Sequence, residues 1–411
     1  MTSLSKLDML TRVEGHGSVD LIQVDGRVVD ARLNLEESPR LFEALLVGRR
    51  FDEIADIACR ICSICSTVHK VAALQAVELA MGVTVTRQTA LLRELAVQGG
   101  QIESHALHIF CLALPDYLGM NSFQDLATHA PEILKRGLAI KYLGNRIQEV
   151  VGGRAIHPFN LVVGGVGTVP GVDRLRNLGG QLAEVRNDVA ASMSYVFQLH
   201  SILPQLASLP TCAVSGGPPL FGDHLSHSHS GRIPAHRAIE WLNERIEPHT
   251  HAKVSCFDDE GSYMVGPLAR LMSGMPQQFT AYFTDTSIRS SLKARVVELN
   301  LAVERSLAVI EQLIDSGLNS EVPVAVNPKQ GDGVSLIEAP RGVLLHSYRF
   351  DTQGICRTAT IITPTAINQK ALATSLKNLI EAMDGAGYAE IKTAVEVLVR
   401  CYDPCISCAV H

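Results

Sequence analysis

Two Cys-x2-Cys pairs, Cys62/Cys65 and Cys405/Cys408, stand near opposite ends of a 411-residue chain, with 339 residues between Cys65 and Cys405. Thiolate pairs at this spacing hold soft metal ions or clusters, so the fold must carry its two extremities to one place. That requirement argues for one interlocked domain over 1–411. Its expected parts are a β-rich stretch over 1–50, a mainly helical core over 51–320, and a strand-rich and helical segment over 321–411 that closes the metal site. Length alone would allow two or three average domains. Ten cysteines are too sparse for a disulfide scaffold, and their grouping points to metal in a reducing compartment.

The first pair sits in Arg60-Ile61-Cys62-Ser63-Ile64-Cys65-Ser66-Thr67-Val68-His69. At 3.6 residues per turn, positions 62, 65 and 69 share one helical face. The second sits in Asp403-Pro404-Cys405-Ile406-Ser407-Cys408-Ala409-Val410-His411. Four converging thiolates are compatible with structural zinc or an iron-sulfur cluster, and spacing alone does not name the metal. Zinc ribbons close over short inserts, unlike this one. Cys59, Cys62 and Cys65 form a run like that of bacterial ferredoxins, but those continue to a cysteine followed by proline, whereas Pro404 precedes Cys405. Cys59 is then read as a small buried hydrophobe beside the site.

Alternation of apolar and polar residues from Gly17 to Leu35, broken by Asp25-Gly26, predicts a β-hairpin. Apolar residues at three- and four-residue spacing predict helices over Arg87 to Leu118, Ile133 to Val151, Val172 to Leu199 and Leu292 to Leu318. Joints are expected at Gly152 to Gly171 and Ser215 to Gly222, and a strand-rich stretch after Pro323 to Gly333. The fold class is therefore mainly α with a small β component: a long helical bundle with an N-terminal hairpin and short strand-rich stretches. A net charge of -6, from 36 basic and 42 acidic residues, without a basic run, speaks against nucleic acid as a partner. The start lacks an apolar secretory signal and no run of about 18 apolar residues occurs, so a cytoplasmic protein without membrane insertion is expected.

At both cysteine pairs the sequence resembles the large subunit of nickel-iron hydrogenases, whose signatures read Arg-x-Cys-Gly-x-Cys-x3-His and Asp-Pro-Cys-x2-Cys-x2-His. Collinear matches extend along the whole chain: Arg12-Val13-Glu14-Gly15-His16, Phe42-Glu43 with Gly48-Arg49, His105-Ala106-Leu107-His108 leading to Asp116, Gly153 to Pro158, Ala339-Pro340-Arg341-Gly342, and Ile361 to Thr365. The resemblance implies that family's large-subunit fold and reversible, heterolytic cleavage of H2. It further implies nickel held by Cys62, Cys65, Cys405 and Cys408, with Cys65 and Cys408 bridging to an iron that carries CO and two CN ligands. Cys405 is the first choice of proton acceptor. Soft sulfur suits a metal that changes oxidation state, which zinc does not.

By the same resemblance, Glu14 starts a proton relay; its bland alternative is a surface or capping glutamate. Arg341 stands over the metals, oriented by Asp116 and Asp403, and donates hydrogen bonds to cyanide; the alternative is a purely structural ion pair. Thr365, or a backbone N–H nearby, serves the second cyanide. Glu43, the carbonyl of Ile361 and His411 correspond to the ligands of a Mg2+ ion, and His69 to a residue that hydrogen-bonds a bridging sulfur. His105 and His108 are read as packing residues, and His224, His227 and His229 as solvated loop residues.

Ser63 replaces the usual glycine, with a β-carbon that narrows the path to nickel, and Ala366-Ile367-Asn368 replaces a Thr-Trp-Asn stretch. The short chain and Glu37-Ser38-Pro39-Arg40 resemble the soluble branch coupled to nicotinamide, flavin or ferredoxin subunits. The family's maturation implies a longer precursor trimmed after His411. The remaining cysteines form no cluster set, so an iron-sulfur small subunit is the expected partner, with further flavin or iron-sulfur electron-transfer subunits. Other readings are a regulatory H2 sensor, a subunit like the quinone-site subunit of respiratory complex I, and a zinc-structural or metal-storage protein.

Overall fold

The computed structural model describes residues 2–7, 10–25, 27–248, 250–257 and 261–411. Strands β1 (Thr2–Leu7), β2 (Gly17–Val24) and β3 (Arg27–Leu35) form an antiparallel sheet in that order. The predicted hairpin is its β2–β3 half, turning through Asp25 at φ 51°; Gly26 lies outside the described residues. Alternate residues Val19, Leu21, Ala31, Leu33 and Leu35 are buried together with Ile406 and Val410 from the far end of the chain. The amino-terminal sheet is thus a floor for the carboxy-terminal cysteine segment.

Helices α1 (Ser66–Met81), α2 (Arg87–Leu107), α3 (Pro131–Gly152), α4 (Val172–Gln198) and α5 (Ser291–Asp315) build the main core. The segment predicted as one helix from Arg87 to Leu118 is interrupted. Beyond Leu107 it widens into a π-helical turn, His108–Ala113, before a short helix Leu114–Tyr117. Pro115 has no N–H to give the carbonyl of Cys111, which removes the α-helical bond there.

Five strands, β4 (Cys212–Gly216), β5 (Phe221–His227), β6 (Gly331–Ala339), β7 (Gly342–Phe350) and β8 (Cys356–Ile362), pair antiparallel in the order β8-β7-β6-β5-β4, with Gly231–Pro234 added to β5. The Ser215 to Gly222 joint is the β4–β5 connection. His224 and His227 are therefore not solvated loop residues. They lie on β5, and His227 is buried, its Nδ1 accepting the N–H groups of His229 (3.3 Å) and Ser230 (3.0 Å). A Ser/His-rich composition masks the period of two that buries Leu225 and His227 on one face. Only His229 is exposed.

Helix α1 lies directly on β6: a β-carbon at Gly333 would fall 1.9 Å from the carbonyl oxygen of Ala76. Helices α6 (Pro364–Ala382) and α7 (Tyr388–Tyr402) complete the chain before its last cysteine segment.

Candidate metal centre

The first cysteine segment enters α1 from a short 3-10 turn, Cys59–Ile61. Cys62 is extended (φ −147°, ψ 149°) and Cys65 is the N-cap of α1. The expectation of one helical face through 62, 65 and 69 is thus corrected. Only Cys65 and His69 lie one helical turn apart; Cys62 reaches the same point from the loop, with its sulfur accepting the Cys65 N–H at 3.4 Å. Cys59 is buried, its thiol on the Asp56 carbonyl at 3.3 Å. Ser63 is exposed.

The second segment leaves α7 through Asp403 in the left-handed region (φ 51°, ψ 58°), a conformation that costs a non-glycine residue energy and turns the chain sharply. Pro404 follows, then Cys405 and a helical turn, Ile406–Ala409. Arg40 ties the two segments together: its guanidinium donates to the carbonyls of Ile61 and Ser407, and its N–H to Val410 O at 2.8 Å.

Four sulfur atoms consequently meet in a buried cluster, all within 4.8 Å of one another. Cys62–Cys405 is 3.5 Å, Cys65–Cys408 3.0 Å and Cys405–Cys408 2.9 Å. Burial pushes the Cys65, Cys405 and Cys408 thiols up, while hydrogen bonding from Cys405 and then Cys408 holds Cys62 well below the usual thiol range. Ionising all four buried sulfurs so close together requires a cation among them. Metal–sulfur bonds of about 2.3 Å separate neighbouring sulfurs by roughly 3.3–3.8 Å, a modest expansion of this cluster.

Over the sulfurs stands the two-residue tip of the β6–β7 hairpin, Pro340-Arg341, closed by Ala339 opposite Gly342. Arg341 donates from Nε to Asp403 O (2.8 Å) and from Nη2 to Asp403 Oδ1 (3.0 Å). Its Nη1 is buried without a hydrogen-bond partner. A small cavity (≈ 10 Å³) lies beside it, lined also by Cys65, Cys405, Cys408 and Thr365. A buried orphan donor facing a cavity fits a ligand with an acceptor atom. The Thr365 hydroxyl accepts the Cys405 N–H at 3.0 Å, which leaves its proton to donate.

Asp403 is held from its other side by Arg295, 3.2 Å from Oδ2. Burial pushes the Asp403 carboxyl up, but Arg341, His108 and Arg295 together outweigh it and keep the group below the usual range. Asp116 does not orient Arg341. Its Oδ2 accepts from Arg400 Nε (2.7 Å) and its Oδ1 from Arg400 Nη2 (3.0 Å) and Arg12, whereas Arg341 donates to Asp403. Arg295 occupies the remaining side of Asp403 instead. His105 and His108 are core residues; His108 Nε2 donates to Arg400 O at 2.8 Å.

Glu14 joins the second segment through its carbonyl, which accepts the Ile406 N–H (3.1 Å), and its carboxylate, which takes the N–H (3.1 Å) and hydroxyl of Ser407. His69 Nε2 lies 3.7 Å from Cys408 Sγ. His411 is buried with Nδ1 2.6 Å from Cys408 O and Nε2 2.7 Å from Ile361 O. Burial pushes the His411 ring's pKa down against the pull of Glu43, and in its neutral form the ring donates to only one of those carbonyls. The other contact sets a lone pair against an oxygen, which a cation relieves; neighbouring ligands of an octahedral Mg2+ lie roughly 2.9 Å apart. Glu43 Oε1 is 3.9 Å from the same nitrogen. The donor set of Glu43, Ile361 O and His411 thus fits a hard cation.

Sequence reasoning overlooked Lys253, whose Nζ sits 2.6 Å from Glu43 Oε2 and 3.1 Å from Glu244. It also overlooked Arg295, His346, Tyr348 and the clamping role of Arg40. The available signal was polar side chains at alternate positions of an apolar strand, His346 and Tyr348, and one arginine on the apolar stripe of α5.

A model of the family described as nickel-dependent hydrogenases matches residues 40–138 and 244–411. The chain is similar to the alpha subunit of sulfhydrogenase 2 of Pyrococcus furiosus, 33% identical over 420 residues that span 99% of this chain and 98% of that protein. It is 28% identical to the beta subunit of the NAD-reducing hydrogenase HoxS of Cupriavidus necator, over 98% of this chain and 94% of that one. An NAD+-reducing NiFe hydrogenase solved in its H2-reduced state superposes with a TM-score of 0.88 at 26% identity, covering 100% of this chain and 99% of the other. The Ni-Fe-Se hydrogenase of Desulfovibrio vulgaris Hildenborough, at 21% identity and TM-score 0.84, shares the fold.

Proposed function

We propose, on the premise that this chain belongs to the nickel-dependent hydrogenase family, that it is a hydrogenase large subunit cleaving H2 reversibly into protons and electrons. One observation carries the reading: four cysteine sulfurs from the two extremities of the chain converge, buried, beneath an arginine whose Nη1 has no protein partner. A nickel-iron pair bound there supplies the Lewis-acid and redox chemistry for heterolysis.

Cys62, Cys65, Cys405 and Cys408 hold that pair. Arg341 Nη1 and the Thr365 hydroxyl would donate hydrogen bonds to cyanide ligands of that pair, which would also carry CO. Asp403, gripped by Arg295, fixes the guanidinium so that it need not reorganise during turnover. The Cys405 sulfur would hold the proton released when H2 is cleaved at that pair, whose metals would take the electron pair. Glu14, held at Ser407, accepts the proton next and carries it outward. Glu43, Ile361 O and His411 hold Mg2+ behind Cys408. His69 donates to the Cys408 sulfur.

Electrons leave through a partner. Among the described residues the cysteine quartet is the one group of metal-ligating side chains close enough to hold a cluster. Exposed Leu41 follows the clamp residue Arg40, and exposed Ile156 and Phe159 flank His157, which bonds the Cys59 carbonyl and the Ser66 hydroxyl. These apolar residues border the loop that carries Cys62, and suit an iron-sulfur small subunit. Further flavin or iron-sulfur electron-transfer subunits and a cytoplasmic site of action belong to the same proposal, which similarity to the beta subunit of an NAD-reducing hydrogenase supports. No helix of the described residues is long and apolar enough to cross a membrane.

Cys405→Ser tests the reading. In the complex with its small subunit, H2-dependent viologen reduction is expected to disappear while dithionite still reduces the partner's clusters. Retained turnover would overturn it.

A further inference from the structure

Helix α1 lies across the face of β7 that carries His346 and Tyr348. Two residues apart on a strand, these side chains point the same way, toward His69, one turn into the helix from Cys65. The three groups are buried and hydrogen-bonded in series. Tyr348 OH lies 2.6 Å from His346 Nδ1, His346 Nε2 3.0 Å from His69 Nδ1, and His69 Nε2 3.7 Å from Cys408 Sγ.

The direction of every bond in this series is determined from its metal end. A metal-bound thiolate offers only lone pairs, so His69 Nε2 must carry the hydrogen that faces it. Neutral imidazole has one donor and one acceptor nitrogen. Both rings are buried and no carboxylate is among their hydrogen-bond partners, so each is the neutral imidazole. His69 Nδ1 is then an acceptor, His346 Nε2 the donor to it, and His346 Nδ1 an acceptor in turn. Tyr348 closes the series as the one group that donates without needing a donor itself.

We infer that His346 and Tyr348 are positioning residues that fix the tautomer of His69, and through it the hydrogen bond that draws electron density from the Cys408 sulfur. The inference rests on the nickel-iron reading of the site, because the sulfur it tunes is there a ligand to both metals. Removing the phenol leaves His346 Nδ1 without a donor and lets the ring pair exchange tautomers. The sulfur then loses its hydrogen bond and becomes a stronger donor to the iron.

The test is infrared spectroscopy of the complex with its small subunit. Tyr348→Phe should leave the CO and CN bands at full intensity but move the CO stretch to lower frequency, through stronger back-donation. His346→Gln should stay near the wild-type position, because an amide nitrogen in place of Nε2 donates to His69 without a tautomer to fix. For the same reason Tyr348→Phe combined with His346→Gln should return the band to its wild-type place, whereas His346→Leu should shift it as Tyr348→Phe does. A Tyr348→Phe spectrum that superposes on wild type, or a double variant as shifted as the single one, overturns the inference. Should Tyr348→Phe fail to load the metals, His346→Gln against His346→Leu makes the same comparison, and equal band positions in that pair overturn it. Absence of CO and CN bands in the wild type would instead reject the nickel-iron reading itself.

Discussion

His108 lies beside the ion pair of Asp403 with Arg295 without being a ligand, and burial, followed by the Arg295 charge, lowers its pKa from 6.5 to about 3. Between those values the unfolded chain binds a proton that the folded one refuses. Stability is then full above pH 6.5 and falls as pH drops toward 3, by about 1.4 kcal/mol per unit for this group. His108→Gln keeps a donor for the Arg400 carbonyl but has no basic nitrogen. Urea midpoints measured against pH are expected to fall less steeply for the variant across that window; parallel curves would remove His108 from the acid response. What was legible among single residues follows the same logic of chemistry. Cysteines in pairs announce themselves whatever the fold, and Arg341 is flagged only by the family motif Ala339-Pro340-Arg341-Gly342, which the structure sets at a hairpin tip. Arg295 is not, because a lone cation on an apolar helical stripe acquires meaning only when tertiary packing sets it against Asp403. Asp116 was misread for the converse reason: its neighbours in sequence did not reveal that Arg400 and Arg12 claim both its oxygens.

Helices α2 and α3 show what an element adds beyond its period. Both were legible from apolar spacing, yet their mutual approach depends on glycines that carry no periodic signal. A β-carbon on Gly144 would lie 2.5 Å from Glu103 N and 2.6 Å from Gly99 O, so the two backbones touch. Neither neighbour is the end of a flexible side chain, and Gly144→Ala must part the helices at a cost of about 1–3 kcal/mol. Gly180, inside α4, meets nothing within 4 Å; there alanine is expected to stabilise by up to about 1 kcal/mol through helix propensity. Thermal midpoints of the two variants should move in opposite directions, and a Gly144→Ala protein as stable as wild type would show that the crossing is loose. Strand β5 was missed because serine and histidine alternate where apolar residues usually mark a strand. The β6–β7–β8 meander was easier to foresee, since Pro323 to Gly333 ends the helical pattern ahead of it.

The widest claim a sequence like this one makes is about closure: ends that share a metal must share a core. Contacts between protein groups also join the two ends. Ile406 and Val410 are buried with β2 and β3, Glu14 pairs with Ile406, and Arg40 spans both cysteine segments. With protein contacts of this extent between the two ends, removal of a metal from the centre is expected to act locally. A bound ion stabilises only the states that keep its ligands together, by an amount that grows with its affinity. Local openings that part the two segments therefore become easier when it is gone, whereas openings within α2 and α3 do not. Hydrogen exchange on reduced protein before and after metal removal should show protection falling about tenfold or more over 59–66 and 403–411, with α2 and α3 unchanged. Equal loss across the helical core would mean that the metal organises the whole molecule. No change at the two segments would mean that the sulfurs are held by packing alone, and the single interlocked domain we propose would then owe nothing to the centre it encloses.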